Sequence, residues 1–428
     1  MAPKTWILIG GGNRGETYTR FAKEHGEFRL VALAEPIPER RAALQQRHGL
    51  SEAQVYESWE PLLAQPKMAD AAVIATMDRD HFAPAMAAIE CGYDILLEKP
   101  VSPNPAECVA LEQAAKKKGV SVLVCHVLRY TPFFRALKSI IDSGRIGRVM
   151  DIQHEEAVGH IHQSPSVVRG NWCNSTESSP MLLQKSCHDM DILQWLIGKR
   201  CRRIQSFGSL SYFHEGNKPE GAPKRCIDGC PHAETCQYNA VRLYLDDKLN
   251  GWFRNAATRL PAPTDADVEH ALRTTDYGLC VFQANNDVVD HQVVNMEFED
   301  GVTCSFSMCA FTEGGRHIRI RGTRGELTAS MGDATIRLFN LETRKVEQIA
   351  IADCVLNDTI VGGHGGGDEG IVSTFRRQLD GETDVSLADI SASVSNHMIA
   401  FAAEQSRLTG QVVDVEAFEQ SFREGTAQ

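Results

Sequence analysis

The stretch Thr5-Trp6-Ile7-Leu8-Ile9-Gly10-Gly11-Gly12-Asn13-Arg14-Gly15 decides the fold. An apolar strand over 5–11 enters a G-x-G-x-x-G turn, and a helix is predicted over 16–25. Gly10 permits the tight turn, Gly12 lets the backbone approach a pyrophosphate, and Gly15 lets helix and strand pack closely. Asn13 and Arg14 stand where such a pyrophosphate would lie. A glycine turn that serves only packing would look the same, so the second strand matters. It is predicted over 28–35 and ends on Glu35, about 20 residues past the turn, where a carboxylate accepts hydrogen bonds from an adenosine ribose. NAD is therefore expected ahead of NADP, whose extra phosphate Glu35 repels, although Arg40 and Arg41 lie close enough to keep NADP open.

Working outward, strands over 71–76, 94–98 and 121–127 alternate with helices over 38–48, 79–91 and 104–118. Near-continuous apolar strands separated by amphipathic helices predict a parallel sheet covered on both faces. At 428 residues the chain exceeds one compact core. We expect a dinucleotide-binding domain over 1–128 and an α/β substrate and oligomerisation domain over 129–428. In the second domain a helix is predicted over 187–197, Glu299-Asp300-Gly301 marks an antiparallel hairpin, and 214–290 reads as a long irregular insertion. Closing helices are predicted near 368–380 and 389–408.

Glu98-Lys99-Pro100 falls at the carboxyl end of the fourth strand, the edge where ligands sit in a doubly wound sheet. The glycine turn, Thr76 and His81, and then Glu98-Lys99-Pro100 follow in an order that resembles the glucose-fructose oxidoreductase, inositol dehydrogenase and MocA family of NAD(P)-dependent sugar oxidoreductases. The resemblance covers nearly the whole chain. It implies a Rossmann domain followed by a domain built on a large open, mainly antiparallel sheet, and a homodimer or homotetramer joined through that sheet. It also implies that Lys99 is the catalytic lysine, that His188 in Lys185-Ser186-Cys187-His188-Asp189 transfers the proton, and that Thr76, His81 and Glu98 border the cofactor.

The chemistry asks for such a pair. Removing hydride from a secondary alcohol requires its hydroxyl proton to leave as well; an imidazole suits that transfer, and a lysine stabilises the developing alkoxide. Many relatives carry an aspartate four residues before the histidine, where this chain has Gln184. Lys185 beside it adds positive charge, so it joins the catalytic candidates, and Asp189 or Asp191 is left to orient the histidine or to complement the helix N-terminus. A substrate wall is expected from Arg129, Tyr130, His160, His162, Arg169, Asn171 and Trp172, joined by Lys185, His291 and His364. The alternative is a loop held together by its own salt bridges and, for 362–368, a helix-capping turn.

Cys226-x3-Cys230-Pro231-His232-x3-Cys236 lies inside the insertion. Three thiolates and an imidazole could satisfy a structural zinc; packed free thiols are the alternative. The net charge of −12 argues against nucleic acid, and no apolar run approaches a membrane span. With no signal-peptide pattern at the N-terminus, a cytoplasmic location is expected. Two activities compete. One is a dehydrogenase acting on a ring hydroxyl of a sugar, cyclitol or glycoside. The other is an NAD-dependent glycoside hydrolase that oxidises C3 transiently, eliminates the aglycone, adds water and rereduces, with an anionic glycoside such as a sulfosugar or uronide suggested by Arg129, Arg169 and Lys185. A non-catalytic NAD sensor would have no need of Lys99 and His188 together.

Overall fold

The computed structural model describes residues 2–247, 251–354, 363–382 and 388–425. Its first sheet is parallel and six-stranded: β1 (Lys4–Ile9), β2 (Phe28–Ala34), β3 (Val55–Tyr56), β4 (Ala71–Ile74), β5 (Asp94–Leu97) and β6 (Val122–Val124), in the order β3-β2-β1-β4-β5-β6. Helices cover both faces, so Trp6, Ile7 and Leu8 are all fully buried, which is why the strand reads as an unbroken apolar run. The order reverses between β1 and β4 and opens a crevice at their carboxyl ends.

The second sheet has nine strands: β7 (Val149–Ala157), β8 (Cys201–Ser209), β9 (His291–Phe298), β10 (Thr303–Cys309), β11 (Gly315–Gly322), β12 (Gly325–Ser330), β13 (Thr335–Asn340), β14 (Val346–Ala350) and β15 (Val413–Asp414). Their order is β14-β13-β12-β11-β7-β10-β9-β8-β15, and every pair is antiparallel except β7 with β10. The hairpin turn falls where expected, with Asp300 and Gly301 both in the left-handed region. Helices Cys187–Ile197 and Ile390–Thr409 cover one face. The alternation of buried and exposed residues along β9 leaves the other face open.

Two expectations need correction. The insertion is not irregular throughout: helices Gly251–Thr258 and Asp265–Thr274 pack around Leu243, Tyr244, Val268 and Leu272, giving it a small core of its own. The helix over Gly367–Leu379 also returns to the first sheet and lies against Asn13–Glu24, with Phe375 stacked 5.9 Å from Phe28. Late sequence thus completes the core of the first domain.

Candidate active site

The glycine turn has the geometry a dinucleotide needs. Gly10 has φ +93°, and a Cβ there would stand 2.5 Å from Ala75 O; one at Gly15 would stand 2.1 Å from Gly10 O. A Cβ at Gly12, by contrast, would meet only Arg40 Nη1 at 3.8 Å, so the turn is open on the side where a pyrophosphate binds. Asn13 is exposed at the first turn of the helix Asn13–Glu24. Glu35 is buried at the end of β2; its Oε2 accepts from Gly11 N (2.6 Å) and its Oε1 from Ile37 N (2.9 Å). Each oxygen keeps a lone pair for a ribose hydroxyl. These residues fit NAD. Arg41 is committed to the carbonyls of Glu35 and Pro36 and to Glu57, which leaves Arg40 as the cation beside the turn.

Three expected cofactor contacts belong instead to the scaffold. Arg14 turns inward to Glu98 (2.9 Å) and to both oxygens of Asp368, and Glu98 also accepts from Tyr18 Oη and Lys99 N. Burial alone would raise the Glu98 carboxyl, but Arg14 and Lys99 hold it below its ordinary value. This clamp ties the helix Asn13–Glu24, the Glu98-Lys99-Pro100 turn and the helix Gly367–Leu379 together. His81 is buried, with Nδ1 2.6 Å from Pro100 O and Nε2 3.2 Å from Thr76 O. It braces the same turn, while half-buried Thr76 remains at the crevice edge.

Lys99 and His188 converge from the two halves of the chain. Lys99 Nζ donates to Gln184 O at 2.7 Å, four residues before His188. The His188 ring stands edge-on to His126, 5.8 Å between centroids, and His126 is held well below its ordinary value by burial and then by the charges of Arg129 and Lys99. Gln184 Nε2 donates to Trp172 O (3.0 Å), and Trp172 Nε1 donates to Asp78 Oδ1 (3.3 Å) on the loop after β4. Among the described residues Gln184 Oε1 and both ring nitrogens of His126 are buried and meet no hydrogen-bond partner.

Lys185 lies 3.4 Å from Glu156, and Arg316 bridges Glu156 and Asp189. Burial, with the charges of Arg316 and Lys99, pulls Lys185 below its ordinary value against the opposing pull of Glu156 and Asp189. Neither aspartate orients His188. Asp189 accepts from Arg316 and pairs with His154, whereas Asp191 takes Arg129 and Asn396. Arg316 escaped the sequence reading because it lies on a strand 127 residues from Asp189.

The expected substrate wall divides. Trp172 borders the site through Gln184 and Asp78, and its neighbour Asn171 is exposed. Arg129 and Tyr130 do not: Arg129 is locked to Asp191 in the core, and Tyr130 Oη accepts from Ala388 N. Arg169 is buried and donates to the carbonyls of Leu279 and Tyr238. His160 and His162 sit in a helical segment and pack on Tyr238 and on Trp252 and Phe253 of the insertion. His291 pairs with Asp290 and points to the open face of the sheet, opposite Glu156. The side chain of His364 lies outside the described residues. Arg129 is thus paired with Asp191 and Arg169 is buried against two carbonyls, so two of the three cations behind the expected anionic substrate lie within the scaffold. The zinc set is corrected too: His232 Nε2 is engaged with Glu220 O, and no group of three or more His, Cys, Asp or Glu among the described residues stands arranged to hold a metal. All thirteen cysteines are free thiols. No helix among the described residues is long and apolar enough to cross a membrane.

Fold and turn together define a dinucleotide-binding oxidoreductase of the Rossmann type. Residues 4–126 match the oxidoreductase family with NAD-binding Rossmann fold, residues 134–328 match the GFO/IDH/MocA C-terminal domain, and the chain belongs to that family. It is 25% identical over 309 residues to the putative oxidoreductase YteT of Bacillus subtilis, covering 70% of each. It is also 25% identical to the 2,7-anhydro-N-acetylneuraminate hydratase of Mediterraneibacter gnavus, over 49% of this chain and 54% of the hydratase. Among solved structures, a levoglucosan dehydrogenase in complex with NADH and L-sorbose superposes with a TM-score of 0.70 at 18% identity, over 97% of this chain and 99% of that one. An Agrobacterium radiobacter oxidoreductase in complex with NAD+, L-tartaric acid and magnesium gives 0.69 at 14%, over 97% and 99%. At these identities the structures speak for the fold alone.

Proposed function

We propose that the protein is an NAD-dependent oxidoreductase that oxidises a secondary ring hydroxyl of a sugar, cyclitol or glycoside. The observation that carries this reading is the meeting of Lys99, from the carboxyl edge of the first sheet, with the Gln184–His188 segment of the second domain. Bound NAD supplies the hydride acceptor. Lys99, which donates to a carbonyl in this structure, fixes the substrate hydroxyl and favours its alkoxide character, while His188 receives the proton. Trp172 and Asn171 contribute an apolar face and an amide to ring binding. The open face of the nine-stranded sheet, where exposed Phe207 pairs with exposed Val293, supports a second copy of the chain as partner.

A second reading is favoured by one observation. Lys185, lowered by burial and standing 3.4 Å from Glu156, would in its neutral form be the base that removes a proton next to a ring ketone, the step that elimination after transient oxidation requires. The similarity to a hydratase agrees with it. Incubating the full chain with NAD and a panel of cyclitols and aryl glycosides separates the two readings. NADH absorbance that persists supports net oxidation, and aglycone release without it supports the redox-neutral route. Failure to bind NAD would end both.

A further inference from the structure

Asp78 carries a charge that the catalytic reading does not use. It is 5% exposed, and its carboxylate accepts only from neutral donors, Trp172 Nε1 at 3.3 Å and Ser179 Oγ at 2.9 Å. Among the described residues no lysine or arginine pairs with it, and its exposed neighbour Arg79 donates to Ser175 O at 3.4 Å instead. Glu98, Asp368, Glu156, Asp189 and Asp191 are buried too, yet each of them faces an arginine. A carboxylate desolvated without a counter-charge calls for a cation.

The loop that carries Asp78 follows β4, and β4 lies between β1 and β5. β1 ends in the glycine turn, where a pyrophosphate binds, and β5 runs into Lys99. The turn packs directly on the end of β4, since a Cβ at Gly10 would stand 2.5 Å from Ala75 O. A dinucleotide held at Gly12 whose reducible end comes to Lys99 therefore passes the Asp78 loop. The second domain arrives at the same place. Asp78 is bonded to Trp172, Trp172 O accepts from Gln184 Nε2, and Gln184 O accepts from Lys99 Nζ, a chain that joins Asp78 to Lys99 through the far wall of the site. Burial raises the thiol of Cys187, beside His188, and the charges of Lys99 and Asp78 both reach it.

On the NAD-dependent reading, on which this rests, we propose that Asp78 is the counter-ion of the oxidised nicotinamide, so that the protein binds NAD+ in preference to NADH. Hydride transfer to C4, with its electron pair, removes the single positive charge of the ring, and the hydroxyl proton of the substrate goes to His188. Asp78 attracts the charged form and gains nothing from the neutral one. Lys99 adds a like charge at the same end of the crevice, which Asp78 offsets. The pull is long-ranged: at an effective dielectric of about 20, opposite unit charges roughly 12 Å apart attract by about 1.4 kcal/mol, the equivalent of a tenfold change in affinity. Each tenfold preference lowers the potential of the bound two-electron couple by about 30 mV. The reduced cofactor then returns its hydride more readily to a ring ketone, independently of which sugar the site takes.

Asp78→Asn removes the charge and keeps both hydrogen bonds, because the amide oxygen accepts from Trp172 and the amide nitrogen donates to Ser179 Oγ. Calorimetric titration of the full chain with NAD+ and with NADH, wild type against variant, reads the effect. The preference for NAD+ should fall about tenfold in Asp78→Asn and persist in Trp172→Phe, which removes a hydrogen bond to Asp78 and leaves its charge. Parallel changes in the two affinities, or an equal fall in Trp172→Phe, would make Asp78 a structural residue of its loop and overturn the proposal. Should Asp78→Asn fail to fold, the potential of the couple bound to the wild type decides: a value below that of the free couple is expected, and one at or above it overturns the proposal. A wild type that binds neither dinucleotide defeats the NAD reading itself, whereas binding of both with a preference unchanged in the variant defeats only the role of Asp78.

Discussion

Substituting Glu35→Gln tests the cofactor reading without knowledge of the substrate. In the wild type both carboxylate oxygens accept buried backbone N–H groups, from Gly11 at 2.6 Å and Ile37 at 2.9 Å. The amide keeps one acceptor and turns an NH₂ toward the other N–H. That leaves a buried donor unsatisfied, at about 1–3 kcal/mol of stability. The ribose, meanwhile, exchanges a charged acceptor worth about 1.5–3 kcal/mol for a neutral one worth about 0.5–1.5. The difference of roughly 1.4 kcal/mol corresponds to about tenfold weaker NAD binding. NADP should move the other way, because the repelling charge is gone and the Arg40 guanidinium remains beside Gly12. Calorimetric titration of both dinucleotides, with a thermal melt to confirm folding, measures this. A folded variant with unchanged NAD affinity, or one in which NADP weakens in parallel with NAD, would refute the assignment of Glu35 to the ribose.

Lys99→Met should lower turnover about 10²–10³-fold, the cost of one donor to a developing oxyanion, with NAD affinity kept; an equal loss of NAD binding would make Lys99 a cofactor residue. On the elimination route, Lys185 acts as the neutral amine, so the rate should rise with pH through a pKa below 10.5, its ordinary value. Lys185→Arg should abolish that limb, and a persisting limb would assign it elsewhere. Asp191→Asn, which removes the carboxylate charge facing Arg129 in the core, should cost about 3–5 kcal/mol in urea unfolding; a small loss accompanied by a raised KM would return Arg129 to the substrate wall. Glu98 is held low in the folded chain, so its contribution is present above its ordinary value of 4.5 and is lost as pH falls through the lower folded value. Melting curves from pH 6 down to about 3 should therefore fall less steeply for Glu98→Gln than for the wild type.

The residues whose places follow from backbone geometry were readable from the chain. Gly10 and Gly15 have no alternative where a Cβ would strike a carbonyl, Glu35 ends a strand of unmistakable pattern, and the helix Cys187–Ile197 carries its histidine where expected. The capping box Thr264…Asp267 was also present in the sequence and marks a helix inside what read as an irregular insertion.

Charged residues in polar stretches were the failure, and for one reason. Arg129, Arg169 and Arg14 each sit beside expected ring-binding or phosphate-binding neighbours in sequence, yet each bonds to a group 62 to 354 residues away. Periodicity reports which face of an element is buried and carries no record of which distant carboxylate or carbonyl will meet a guanidinium there. An arginine that balances a buried charge and one that waits for a ligand therefore look alike in sequence. What separates them is the set of partners in three dimensions: Arg129 and Arg14 are paired with carboxylates, while among the described residues Arg169 meets only carbonyls and a thiol.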